Sequence, residues 1–174
     1  GNVVGHNDGA GISLLSDAKG EVRGNRIGSN TGAGVATQSA DVTIRENRIG
    51  VPATGDAARA NQVGIDVAAG KALIKANRIG NSTQEGVKVS PSATATILAN
   101  PIFANGGVGI AAPAPAPAAP ALTLAIRKGS GDTARTWLAV RGPDAPGTLE
   151  AFGNVSCTDP EGKVPLSTKT WTGG

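Results

Sequence analysis

The 174-residue chain has no Tyr and no Met, two Phe, two Trp and a single Cys. With so few rings, any interior must be built from Ile, Val, Leu and Ala, which suits thin, regular, stacked layers. One cysteine excludes an internal disulfide framework and a thiolate metal cluster, since each needs at least two. Apolar runs are also short. None approaches the roughly 18 residues that a membrane-crossing helix requires, and no charged-then-apolar leader opens the chain. The net charge of +3 is mild for a nucleic-acid binder of this length unless it is concentrated on one face.

What the chain does have is glycine, 26 residues of it, and a repeat. Asn-Arg-Ile-Gly occurs at 25–28, 47–50 and 77–80, and Asn2, Asn25, Asn47, Asn77 and Asn100 head corresponding segments at spacings of 23, 22, 30 and 23. Two positions later stand Val4, Ile27, Ile49, Ile79 and Ile102; three positions before the last four asparagines stand Val22, Ile44, Ile74 and Ile97. A second signal lies further along each unit, in Gly11-Ile12, Gly34-Val35, Gly64-Ile65, Gly86-Val87 and Gly109-Ile110. The Asn-to-Gly distance is 9 in four units and 17 in the third, and that surplus of 8 equals the surplus in the 30-residue spacing. A single insertion within Val51 to Gln62 therefore accounts for the irregularity.

A unit of 22 to 23 residues, with three brief aliphatic patches separated by Gly, Asn and Ser, is too short and too glycine-rich for a helical hairpin repeat. Regular leucine columns are missing, which excludes leucine-rich repeats. Each patch reads as a short strand with alternating faces. The pattern predicts an all-β fold, a right-handed parallel β-helix of about five coils over residues 1–112, with successive coils about 4.8 Å apart. In that geometry Asn25, Asn47, Asn77 and Asn100 form a corner ladder of side-chain amides, each reaching backbone and the asparagines above and below.

The stretch "ILANPIFANGGVGI", preceded by Asn-Arg-Ile-Gly coils, resembles the right-handed parallel β-helix repeat proteins of bacterial cell surfaces, and "VPATGDAARANQ" is similar to a loop such proteins carry after an Ile-Gly. The resemblance implies an extracellular or cell-surface location and a structural role. Next comes "APAPAPAAP", whose proline alternation favours extended polyproline geometry and reads as a linker, over residues 113–120. Beyond it, "TWLAVRG", "GTLEAFGN" and "PLSTKTW" read as strands between turn-rich stretches. In the same family an immunoglobulin-like module often follows the β-helix, and Phe152, Asn154, Cys157 and Pro160 are similar to its Phe-x-Asn-x-x-Cys-x-x-Pro pattern. Residues 121–174 are therefore expected to form an immunoglobulin-like β module, but with four or five strands against the roughly seven of a closed sandwich. Two readings of that shortfall stand. Either the chain is a piece of a longer secreted protein, or neighbouring copies complete its ends by head-to-tail association or strand exchange.

The charges fall in columns. Arg26, Arg48 and Arg78 follow the ladder asparagines directly, and Arg23, Arg45 and Lys75 stand two before them. Six cations at one corner could attract an anionic polysaccharide; alternatively their stems cover the turn while Glu21 and Glu46 relieve the repulsion. The stripe contains no aromatic side chain for base stacking, which argues against nucleic acid. The β-helix enzymes that cleave or epimerise uronate polysaccharides need clustered carboxylates. Here the outward slot holds Ser13, Ala36, Asp66, Lys88 and Ala111, a single acid, with Asp56 and Arg59 in the inserted loop as its conceivable partners. His6 stands in a turn beside Asn7 and Asp8 without the partners of a triad or zinc site. Trp137 and Trp171 fit the core of the second module better than a sugar platform, and nothing beside Cys157 activates a thiol. The expectation is a non-enzymatic structural protein with no cofactor and no metal, serving display, adhesion or filament assembly. Anionic-polysaccharide binding, and more remotely a lyase or epimerase, are the alternatives.

Overall fold

The computed structural model describes residues 1–38, 41–52 and 57–114 in full, and beyond them the backbone of four strands. Residues 1–114 wind as a parallel β-solenoid with three sheets. The first stacks β1 (Val3–Gly5), β4 (Arg26–Gly28), β7 (Arg48–Ile49), β10 (Arg78–Gly80) and β13 (Ile102–Phe103). The second stacks β2 (Ile12–Leu14), β5 (Val35–Thr37), β8 (Ile65–Val67), β11 (Val87–Val89) and β14 (Ile110–Ala111), and the third β3 (Lys19–Arg23), β6 (Asp41–Arg45), β9 (Gly70–Lys75) and β12 (Ala93–Leu98). All of these pairings are parallel.

Register follows the repeat. Ile27 lies beside Val4 and Ile49, Ile79 beside Ile49 and Ile102, Ile44 beside Val22 and Ile74, and Val87 beside Ile65 and Ile110. Because side chains alternate across a strand, these aliphatics all point into the coil, where Val35, Ile44, Ile49, Ile65, Ile74, Ile79 and Val87 are fully buried. The interior is thus a pile of same-shaped aliphatic layers, which explains why rings are dispensable.

Among the described residues the expected five coils become four complete three-strand turns, with β13 and β14 from a fifth. The third strand would have to follow Ala111, where Pro113, Pro115, Pro117 and Pro120 stand. Proline carries no N–H for a ladder and is excluded from a central strand.

The corner before each ladder asparagine is left-handed. Gly24 (φ 69°), Glu46 (φ 58°), Ala76 (φ 54°) and Ala99 (φ 54°) occupy equivalent positions immediately ahead of Asn25, Asn47, Asn77 and Asn100. Only glycine enters this region without steric cost, which for other residues is roughly 1–2 kcal/mol. Ala76 and Ala99 are exposed and give up no packing. Ala76→Gly is therefore expected to raise unfolding free energy by about 0.5–1 kcal/mol despite glycine's larger unfolded-state entropy, read as a higher urea midpoint. The same change at Ala72, buried in β9, should lower it.

Beyond the solenoid, β15 (Ala121–Lys128) pairs antiparallel with β16 (Arg135–Arg141), with a register shift between Leu122 and Leu124. β17 (Gly147–Gly153) and β18 (Val164–Trp171) form a second two-stranded sheet. Residues 115–120 of the linker, the side chains of Trp137, Phe152 and Trp171, and Asn154, Cys157 and Pro160 lie outside the described residues.

Candidate functional site

Three features of the solenoid are candidates for function: its amide ladders, its charged corner and one groove. In the first ladder each asparagine binds the next one along the chain. The backbone N and Nδ2 of Asn25 both donate to Oδ1 of Asn47, at 2.9 and 3.2 Å; those of Asn47 donate to Asn77 at 3.0 and 2.9 Å, and those of Asn77 to Asn100 at 2.8 and 3.0 Å. Asn2 donates to Asn25 in the same way. The Nδ2 atoms also reach strand carbonyls: Asn47 to Val22 at 2.8 Å, Asn77 to Ile44 at 2.8 Å and Asn100 to Ile74 at 2.9 Å. Asn25, Asn47, Asn77 and Asn100 are all buried, so these bonds replace water that has no access. The ladder is directional, with carbonyl oxygens facing the N-terminal end of the stack.

A second ladder was missed by the sequence reading. Asn7 donates to Asn30 Oδ1 at 2.8 Å, Asn30 to Asn61 Oδ1 at 2.8 Å, and the backbone N of Ser82 to Asn105 Oδ1 at 3.0 Å. Its signal was present: Asn7, Asn30 and Asn105 each stand five residues after a first-ladder asparagine. The insertion displaces the third member to Asn61, and serine takes the fourth place. Ser82 Oγ is buried without a partner, and Asn61 Nδ2 finds only a long 3.5 Å contact with the carbonyl of Ile27. Ser82→Asn is expected to close this gap and add about 1 kcal/mol of stability, the net worth of one or two buried hydrogen bonds, read by chemical denaturation.

At the charged corner, Arg26, Arg48 and Arg78 stack in register on the first sheet, and Arg23, Arg45 and Lys75 on the third. Arg23 pairs with Glu46 at 2.9 Å, while Arg45 pairs with Glu21 and, at 2.7 Å, with Glu46. The Arg23 hydrogen bond holds the Glu46 carboxyl below the usual carboxylate range, and Glu21 raises the Arg45 guanidinium above its ordinary value. Arg78 lies over the Phe103 ring, 5.0 Å from its centroid, and Arg48 donates to the carbonyl of Pro52. Six cations and two carboxylates leave an excess of four positive charges. Glu21 and Glu46 pair with two members of the third-sheet column, Arg23 and Arg45.

The groove is made by the insertion. The chain leaves the first sheet at Gly50 (φ 71°) and regains the sheet's hydrogen bonding at Arg59, whose carbonyl accepts from Ser29 N at 3.1 Å and whose N donates to Gly50 O at 3.3 Å. Arg59 thus takes the place, beside Ser29, that residue 51 would hold in an uninterrupted coil. Between the returning chain and the sheet lies a cavity of about 250 Å³, lined by Val3, Val4, Gly5, His6, Arg26, Ile27, Gly28, Val51 and Arg59. His6, placed in a turn from sequence, is exposed there with φ 61°.

The outward slot of the second sheet holds Ser13, Ala36, Asp66, Lys88 and Ala111 in one row. Asp66 therefore stands on the second sheet, whereas Arg59 is tied into the first, and the structure does not gather them into one centre; Asp56 lies outside the described residues. Among the described residues no group of three or more His, Cys, Asp or Glu side chains is placed to hold a metal ion. No described helix is long and apolar enough to cross a membrane.

Three parallel sheets wound around aliphatic layers, with buried asparagine rungs at the corners, define a parallel β-solenoid. The chain belongs to the right-handed β-helix family, whose model, described as a right handed beta helix region, matches residues 1–113. No curated protein and no solved structure gives a significant match.

Proposed function

We propose that this chain is a non-enzymatic structural segment of a bacterial extracellular or cell-surface protein, in which the β-helix is a stiff spacer for display, adhesion or head-to-tail assembly, followed by an immunoglobulin-like module. The observation that carries this reading is the unbroken, one-directional ladder from Asn2 to Asn100. It runs the length of the stack and devotes the buried polar groups to holding coils together. Sedimentation velocity over a range of concentrations, with electron microscopy of the same samples, tests assembly. Growth of linear oligomers with concentration is expected, and a strictly monomeric profile throughout rules out the assembly version.

The register of Arg26, Arg48 and Arg78 favours one second reading, recognition of an anionic polysaccharide along the first sheet. Retention on a polyuronate resin that falls with salt and is lost when the three arginines are changed to Ser supports it. Salt-insensitive or absent retention removes it.

A further inference from the structure

Asparagine is a thermolabile residue, and the ladders build it into coil after coil. Its carboxamide is lost when the backbone nitrogen of the following residue attacks Cγ. The N–Cγ bond forms, the Cγ–Nδ2 bond breaks, and ammonia leaves with the proton given up by the peptide nitrogen. Water then opens the cyclic imide at either carbonyl, leaving aspartate or isoaspartate. We propose that the ladders are also a chemical lock, in which coil-to-coil hydrogen bonds withhold that nitrogen, and that the site they guard is Asn105-Gly106.

The rungs share a two-point grip. Asn47 Oδ1 accepts from the backbone N of Asn25 at 2.9 Å, and the N of the following residue, Arg48, donates to the carbonyl of that same Asn25 at 2.8 Å. Asn77 with Arg78 holds Asn47 in this way, at 3.0 and 2.8 Å, and Asn25 with Arg26 holds Asn2. In the second ladder Asn30 with Thr31 holds Asn7, while Asn61, displaced by the insertion, keeps both bonds but on two residues, Asn30 and Gly32. The oxygen on Cγ and the next nitrogen are thus anchored separately to the preceding coil. Ring closure needs that nitrogen to come into near-attack contact with Cγ, which the two anchors prevent until they are released. Asn100 reaches the same end differently, since Pro101 has no N–H to lose.

Position 105 needs the grip most. Asn105-Gly106 is the one Asn-Gly pair in the sequence, and glycine, with no side chain, leaves the attacking nitrogen least hindered. Packing imposes that glycine. A Cβ on residue 106 would stand 2.3 Å from the carbonyl oxygen of Thr83 and 3.1 Å from its carbon, so any other residue forces the fourth and fifth coils apart. The susceptible pair is therefore unavoidable, and it carries the full grip: Ser82 N donates to Asn105 Oδ1 at 3.0 Å, and Gly106 N donates to the carbonyl of Ser82 at 2.8 Å. Burial is not the protection here, because Asn105 is only partly buried and Gly106 is exposed. Isoaspartate at this rung would lengthen the main chain by one carbon and take both bonds out of register.

The test incubates the full chain at mildly alkaline pH, folded and in guanidinium chloride, and follows conversion of Asn105 to aspartate and isoaspartate by proteolysis and mass spectrometry. A Pro91→Asn, Ser92→Gly double variant supplies the internal comparison. It puts a second Asn-Gly pair in an exposed turn, where the nitrogen of residue 92 donates to no described residue. In the folded variant Asn105 is expected to convert at least about tenfold more slowly than the introduced pair, because its reaction waits on local opening of the coil. In denaturant the two rates should converge. Equal rates in the folded chain, or a slow Asn105 that denaturant does not accelerate, overturns the proposal. Slow conversion of both pairs when folded assigns the protection to folding at large and overturns the grip as well. If circular dichroism shows that the double variant does not fold, the parent chain decides: indistinguishable Asn105 rates with and without denaturant sink the lock, and a slower folded rate supports it.

Discussion

Asn77→Ala is expected to lower the unfolding free energy of the solenoid by about 3–5 kcal/mol, a large share of the roughly 5–15 kcal/mol typical of a folded domain. The Asn77 side chain accepts from both the backbone N and the Nδ2 of Asn47, and donates to the carbonyls of Ile44 and Lys75 and to Oδ1 of Asn100. Alanine deletes all five contacts. The most costly consequence is the Asn47 backbone N–H, buried at a residue only 1% exposed, which loses its acceptor. A buried donor left unpaired costs about 1–3 kcal/mol by itself, and the remaining bonds contribute about 1 kcal/mol each at most. Asn77→Asp is the informative companion. It keeps an acceptor for Asn47 but sets carboxylate oxygens against the Ile44 carbonyl and Asn100 Oδ1, so it should destabilise at least as much as alanine at neutral pH. Urea denaturation followed by circular dichroism checks both. An Asp variant as stable as the parent would mean that the amide donors are dispensable and that the ladder is not what binds coil to coil.

Gly34→Ala is expected to cost about 3 kcal/mol, at the upper end of ordinary overpacking penalties. A methyl at this corner would meet Ile49 Cγ2 at 2.7 Å, the carbonyl oxygen of Gly64 at 2.8 Å and Asn61 Nδ2 at 3.0 Å. Those three atoms belong to the aliphatic core, the backbone of the next coil and the second ladder. None is the free end of a flexible side chain, so the strain is relieved only by moving one coil away from another. Gly9→Ala is the control. Nothing lies within 4 Å of a Cβ there, and that variant should match the parent within about 0.5 kcal/mol in the same denaturation assay.

These two substitutions also show why so much of the fold could be read from the chain. A solenoid coil contacts mainly the coils before and after it, so one set of constraints is imposed again every 22 or 23 residues and leaves a periodic trace. The Gly of each Gly-Ile or Gly-Val pair recurs because the next coil passes at contact distance. Each Ile after Asn-Arg recurs because it faces the same position one layer away. The spacing arithmetic located the insertion only to within 51 to 62. The structure narrows it, since Gly50 turns out of the sheet and Arg59 re-enters beside Ser29.

Other features were less legible. The second ladder escaped notice because the insertion shifts Asn61 and serine stands at 82, so only three of its five members are asparagines at the spacing of five. The cation columns were visible, but the pairing of Arg23 with Glu46 and of Arg45 with Glu21 depends on which rotamers reach across coils. The count of coils was overread: Gly109-Ile110 announces a fifth, of which two strands stand among the described residues, and the segment that follows is proline-rich.

The sequence by itself determined the class of fold, the register of its strands and the identity of its core, because each depends on contacts between equivalent residues in adjacent coils, and periodicity encodes such contacts directly. Only the tertiary structure decided the direction of the amide ladders, the pairing of Arg23 and Arg45 with acids across coils, and the place where the insertion re-enters the first sheet at Arg59. Those features arise where residues that are not equivalent in the repeat come together, through side-chain orientation and through the path of an insertion, and neither has a period to read.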